Sequence, residues 1–332
     1  MNLRRAPIMV MALTVTVLLG CTPPGDSGHA PDAAMTIPPI GPVGLAGRNL
    51  RVVATTNVLG DVVAEVGSGA IDLTTLIGPG QDPHSYQPVA QDMVAIEEAD
   101  VVFVVGLNLE ETLMRSIENT ATGPVVPVSA GITPIPFAGA DHEGEGEHGI
   151  YDPHFWMDPN NVMVWTATIR DTLSTADPAH AAGYAANAEA YRVELAALDG
   201  YIREQAARIP ASNRRLVTDH YAFGYFAEEY GFEIAGAILP GPTTTTEPSA
   251  GEIADLAALI RENGIPAIFV GASASESLRR LAETIAQEAG GGVQVLSLYS
   301  GSLDSPGQPA DTYIGMMRTN VDTLVQGLGD GG

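Results

Sequence analysis

The chain has 332 residues, enough for two domains of ordinary size, and its 45% hydrophobic content and mean hydropathy of +0.12 exclude a mainly disordered polymer. Forty acidic residues against 15 basic ones leave a net charge of −25, which excludes nucleic acid as a partner and favours cations as cargo. All the basic residues are arginine, so no P-loop or Schiff-base lysine is present, and a single cysteine excludes an internal disulfide or a thiolate metal cluster.

Arg4 and Arg5 precede an apolar run over residues 6–19, too short for a stable membrane span and patterned as a secretory signal. The run ends in Leu18-Leu19-Gly20-Cys21, which resembles the lipobox of bacterial lipoproteins, although Leu19 is unusual at its place. The resemblance implies cleavage before Cys21 and diacylation of its thiol. That would hold an extracytoplasmic protein, or a periplasmic one, to the membrane by lipid; a plainly secreted protein with a stray signal cysteine is the alternative. Residues 22–47, rich in Pro, Gly, Ala and Asp, read as a flexible tether.

From residue 48 the pattern is α/β. Apolar runs at 51–55, 72–77, 100–105 and 125–128 alternate with helical stretches at 57–66, 90–99 and 110–120. Their continuous Val and Ile content predicts strands of a parallel sheet buried on both faces. A helix over 160–175 completes an N-terminal lobe at residue 176. Asp177-Pro178 reads as the start of a long linking helix over 177–210, ended by Pro210 and ~45 Å long at 1.5 Å per residue. A second α/β lobe over 211–329 follows, with strands at 215–218, 233–238, 267–270 and 293–296 and helices at 222–230, 249–263, 275–289 and 312–328. The fold expected is two open, mainly parallel α/β lobes joined by one rigid helix. A ligand belongs in the cleft between them, beyond the carboxyl ends of the strands.

Three of the seven histidines fall on such loops. Asp82-Pro83-His84 follows a Gly-Pro-Gly turn after the second strand. Asp152-Pro153-His154 precedes the helix that Asp158-Pro159 begins, and Asp219-His220 comes directly after the strand at 215–218. A lone histidine is usually structural, but a repeated Asp-Pro-His and a third histidine with an aspartate before it point to a metal. Neutral imidazole is the commonest ligand, and a neighbouring carboxylate fixes its tautomer. Asp82, Asp152, Asp158 and Asp219 are the candidates for that supporting role.

The chain resembles the cluster A-I family of zinc/manganese solute-binding lipoproteins of bacterial ABC importers. The likeness runs from Leu50 to Leu328 through "ATTNVLGDVVAEVG", "GPGQDPHSYQP", "DPHFWMDP", "VTDHYAFGYFAEEYG", "EPSAGEIADL" and "TYIGMMRTNVDTLV". It implies that His84, His154 and His220 coordinate the ion, and that the two lobes are bridged by a long helix. It also implies a non-enzymatic, monomeric receptor that delivers metal to an ABC permease. Two departures stand out. Relatives often carry an aspartate where this chain has Gly301, leaving Asp304 as the expected fourth ligand, with Asp311 or water as alternatives; Asp311 reads rather as the cap of the last helix. Relatives also usually carry a glutamate where this chain has Gly271, a loss expected to loosen hydrogen bonding around the cleft.

Three imidazoles with at most one carboxylate favour Zn²⁺ over Mn²⁺, which prefers more oxygen ligands. The segment 141–148 adds His142 and His148 among four acids, a possible weak Zn²⁺ capture loop or simply a solvated acidic loop. A zinc-dependent hydrolase and a metal-stabilised surface adhesin are the other classes considered. No H-E-x-x-H helix or G-x-S-x-G elbow supports the former.

Overall fold

The computed structural model describes residues 36–137, 151–241 and 243–329. Cys21, His142 and His148 lie outside them. No described helix is long and apolar enough to cross a membrane.

The N-terminal lobe is built on four strands, β1 (Leu50–Thr56), β2 (Ile71–Ile77), β3 (Val101–Val104) and β4 (Val125–Pro127). They form a parallel sheet in the order β2-β1-β3-β4. Three helices make the crossovers: α1 (Asn57–Gly67), α2 (Ala90–Glu98) and α3 (Glu111–Thr120). Alternation along the strands divides their side chains between two layers. Val52, Ala54, Val101 and Phe103 face one core, while Val53, Val102 and Val104 face another under α2 and α3.

The helix α4 (Pro159–Ala176) is capped by Asp158, which accepts from the backbone N–H of Asn160 at 2.8 Å, with Pro159 at the first helical position. The long helix α5 spans Ala181–Ala207, 27 residues or about 40 Å. It starts later than the Asp177-Pro178 signal predicts, for a local reason. Asp177 closes α4 through its own N–H to Leu173, and its carboxylate accepts from the His180 ring and the Tyr184 hydroxyl. Residues 177–180 are therefore a turn that seats the next helix rather than its first turn.

The C-terminal lobe repeats the plan with β5 (Arg215–Thr218), β6 (Glu233–Ala237), β7 (Ala267–Gly271) and β8 (Gln294–Leu298), parallel in the order β6-β5-β7-β8. Its helices are α6 (Gly224–Tyr230), α7 (Ala250–Asn263), α8 (Glu276–Glu288) and α9 (Tyr313–Leu328). Ser249 and Glu252 form a reciprocal capping box at α7. Thr312, not Asp311, caps α9, accepting from the N–H of Gly315. The Asp311 carboxylate instead accepts from Gly307 within its own loop.

One continuous core runs through both lobes. Buried side chains of α4, α5 and α9, including Trp165, Tyr184, Leu195, Ile202, Met316 and Leu324, join the inner faces of both sheets. Each such side chain removed from water contributes about 1.5–3 kcal/mol. The lobes are thus fixed to a common spine, and the carboxyl ends of β1, β2 and β5 converge on one cleft.

Candidate metal centre

His84 stands in the loop after β2. Its backbone N–H is held at 3.0 Å by Oδ1 of Asp82, which shapes the turn around Pro83. His154 follows an isolated bridge between Pro136 and Tyr151. Asp152 Oδ1 accepts from both the backbone N–H and the ring Nδ1 of His154, at 2.9 and 2.8 Å. His220 is two residues past the end of β5, and Asp219 Oδ1 binds its N–H and its Nδ1, each at 3.0 Å. The other Asp219 oxygen accepts from the N–H of Gly271 at 2.8 Å.

These carboxylates settle the chemistry of the rings. With Nδ1–H donated to an aspartate, the Nε2 of His154 and of His220 carries a lone pair. Both lone pairs point at the same place. Nε2 of His154 is 3.1 Å from Nε2 of His84 and 3.3 Å from Nε2 of His220, and all three donor atoms lie within 4.8 Å of one another. Two ligand nitrogens about 2.0–2.1 Å from a tetrahedral ion stand about 3.3 Å apart, so the spacing fits a single first-row cation. Among the described residues this is the one group of three or more His, Cys, Asp or Glu side chains that converges in this way.

Burial acts unequally on the three rings. It drives His84 well below the ordinary imidazole range, helped by the neighbouring charges of His154 and His220, and it drives His154 down likewise. Burial opposes charge on His220 too, but the Asp219 carboxylate and its hydrogen bond outweigh it and raise the ring. Burial also pushes Asp152 up to about 7, against the pull of the His154 backbone N–H. Burial thus disfavours charge on His84 and His154, while Asp219 favours it on His220.

The cleft opens as a cavity of about 270 Å³ against His84 and His220, with Asp82, Asp219, Ser273, Ser300 and Gly301 on its walls. Asp82 does more than shape its own loop. Its second oxygen accepts from the hydroxyls of Ser85 and of Thr244, the latter in the opposite lobe. Trp156 lies with its ring 5.2 Å from that of His154 and donates its indole N–H to the carbonyl of Ser300, so it packs on one lobe's histidine and ties it to the other lobe. Asp158 stays with α4 as its cap. Tyr86 donates to Asp92 at the start of α2.

Asp304 does not join the cluster. Its oxygens accept from the Tyr299 hydroxyl at 2.8 Å and the Ser305 N–H at 2.7 Å. Its loop is pinned on several sides. Ser302 accepts from Asn57 and from Gly80, Leu303 donates to Asn57, and Asp304 donates its own N–H to Ala310. Gly301 itself lines the cavity, and a Cβ there would stand 3.1 Å from the ring of Pro83. The role of Thr244 carries no recognisable sequence signal, lying in a run of four threonines.

Comparison with known proteins agrees with this architecture. Residues 52–327 match the family described as zinc-uptake complex component A, periplasmic. The chain is 36% identical over 283 residues to the manganese-binding lipoprotein MntA of Halalkalibacterium halodurans, covering 85% of this chain and 89% of that protein. It is 34% identical to the iron-binding protein YfeA of Yersinia pestis, over 85% of this chain and 87% of that one. The solved structure of the periplasmic zinc-binding protein TroA from Treponema pallidum superposes with a TM-score of 0.75 at 33% identity, covering 85% of this chain and all of that one. The chain accordingly belongs to the zinc-uptake complex component A family, the metal-binding receptors that serve ABC transporters as substrate-binding components rather than as enzymes.

Proposed function

We propose that this receptor captures Zn²⁺ on His84, His154 and His220 and delivers it to the permease of an ABC importer, acting as an extracytoplasmic monomer anchored through lipidated Cys21. The observation that carries the reading is the convergence of three Nε2 atoms, two of them held in the ligating tautomer by aspartates. A donor set of three nitrogens, with no carboxylate in the cluster among the described residues, suits zinc. The fourth position faces the cavity beside Gly301, where water completes a tetrahedron.

Asp82, Asp152 and Asp219 support the three rings, while Asp304 serves its own loop. Closing the cleft brings the rings from both lobes onto one ion. Delivery then requires the lobes to separate at the Asp82–Thr244 contact, which loosens His84 from His220. His142 and His148 act, in this reading, as a weak outer capture point.

Manganese is the second reading, supported by the 36% identity to a manganese-binding lipoprotein. The two are separated by competition titration of the purified chain with Zn²⁺ and Mn²⁺ against chelators of known affinity. Zinc held at least about a hundredfold more tightly than manganese supports the proposal, and the reverse order replaces it with a manganese receptor. Stoichiometric uptake of one ion, with no turnover of ester or phosphate substrates, separates both from a hydrolase.

A further inference from the structure

The carboxylate that orients His220 is seated against a glycine, and the glycine is there for the carboxylate. Gly271 ends β7, fully buried beside β5. Its backbone is outside the left-handed region, so no conformational demand calls for glycine. What excludes a side chain is space. A Cβ at 271 would stand 2.7 Å from Asp219 Oδ2 and 3.5 Å from Ser300 Oγ, while the Gly271 N–H donates to that same Asp219 oxygen. The device recurs at the neighbouring ring. A Cβ at Gly224 would stand 2.5 Å from Oδ2 of Asp152, whose other oxygen holds His154.

We infer that Asp219 and Gly271 form one exchangeable unit, a single carboxylate seat behind His220 that can be filled from either strand, with Gly271 as a positioning residue for metal binding. The distances define the exchange. From the Cβ position at 271, Asp219 Oδ2 is at 2.7 Å and Asp219 Cγ at 3.8 Å. A glutamate carries its carboxylate carbon about 2.5 Å from its Cβ and its oxygens as far as about 3.6 Å, by ordinary bond lengths. A glutamate at 271 therefore reaches the Oδ2 side of the space that the Asp219 carboxylate fills, and shortening Asp219 to alanine leaves room for it to turn toward His220. Both carboxylates together would place two like charges in one buried seat.

The inference rests on the three-histidine zinc reading, and a double-mutant cycle tests it separately. Zn²⁺ affinity is measured by chelator competition on the full chain for Asp219→Ala, Gly271→Glu and the pair. Each single change is expected to weaken binding about 10–100-fold, as loss of an orienting partner does, and the pair to recover to within about fivefold of the parent. The visible spectrum of the Co²⁺-loaded protein should change in each single variant and return in the pair, a signature that general loosening of the fold does not produce. Gly271→Ala provides a milder cycle should Gly271→Glu fail to fold. It should weaken Zn²⁺ binding beside Asp219 and be neutral in the Asp219→Ala background. Additive losses in either cycle overturn the exchange. Failure of the parent chain to bind one Zn²⁺ instead overturns the receptor reading itself.

Discussion

In the N-terminal lobe the first strand ends at Thr55 and Thr56 and runs straight into Asn57 of α1; of that lobe's two cleft histidines, His84 comes from the loop after the edge neighbour β2 and His154 from the segment before α4. In the C-terminal lobe the corresponding strand, β5, ends at Thr218 and is followed directly by Asp219 and His220, while the loop after its edge neighbour β6 supplies Thr244 to the Asp82 carboxylate. The same parallel topology therefore presents a histidine from an edge-strand loop on one side and from a central strand on the other. The Thr55 hydroxyl turns instead to the buried Glu110, at 2.6 Å, and Asn57 turns to Ser302 and Leu303 across the cleft. One lobe uses its central strand end for cohesion and the other for the ion. The His84 loop is tied to the opposite lobe by the Asp82–Thr244 contact.

The sharpest way to break this comparison is to remove a ring from each side. His84→Ala and His220→Ala should each cost at least about a hundredfold in Zn²⁺ affinity, more than loss of an outer carboxylate costs, by chelator competition. A variant retaining parental affinity removes that histidine from the centre.

Acidification sharpens the contrast. Metal binding requires deprotonated rings, so affinity falls as pH drops through the pKa of each ring in the ion-free protein. His220, raised by Asp219, should compete with protons first, above the ordinary imidazole value of about 6.5, whereas His84 and His154 take up protons only far below it. Affinity should begin to fall as His220 takes up its proton and fall more steeply at lower pH, where His84 and His154 follow. Asp219→Asn should shift the first step downward.

In the stability of the ion-free protein the rings act with opposing signs. The depressed rings His84 and His154 cost stability as pH falls below the unfolded value of about 6.5. His220 contributes stability that is present below that value and lost as pH rises through its folded pKa. Chemical denaturation across pH 5–8 measures the sum.

A smaller effect is expected at the cleft mouth. Thr244→Val removes the donor to Asp82, and a net hydrogen-bond contribution of about 0.5–1.5 kcal/mol corresponds to roughly two- to twelvefold faster Zn²⁺ release in stopped-flow measurements. The melting temperature should hardly move, because the common spine of α4, α5 and α9 is untouched. Smallest of all, Asp304→Asn should leave Zn²⁺ affinity within about twofold, since its carboxylate serves Tyr299 and Ser305. A large loss would bring Asp304 back to the ion.

The alternating apolar runs and helical stretches gave the two-lobed parallel architecture because burial on both faces leaves a strong mark on composition. The convergence of the three histidines was legible because each stands within two residues of an aspartate on a loop, two of those loops following a strand's carboxyl end. What escaped depended on contacts between distant segments. The start of α5 was misplaced because Pro178 favours a first helical turn locally, whereas Asp177 is committed to α4, His180 and Tyr184. Asp304 was expected at the ion because no local signal shows that Asn57 and Gly80, some 220 to 250 positions earlier, hold its loop. Gly271 looked like a lost carboxylate; in the fold its missing side chain is the space that Asp219 occupies.

The central claim is that His84, His154 and His220 share one ion, and diffraction from the Zn²⁺-loaded protein at the zinc absorption edge tests it most directly. The account predicts one anomalous peak within bonding distance of all three Nε2 atoms. A peak ligated elsewhere, or by only one of these rings, would contradict it.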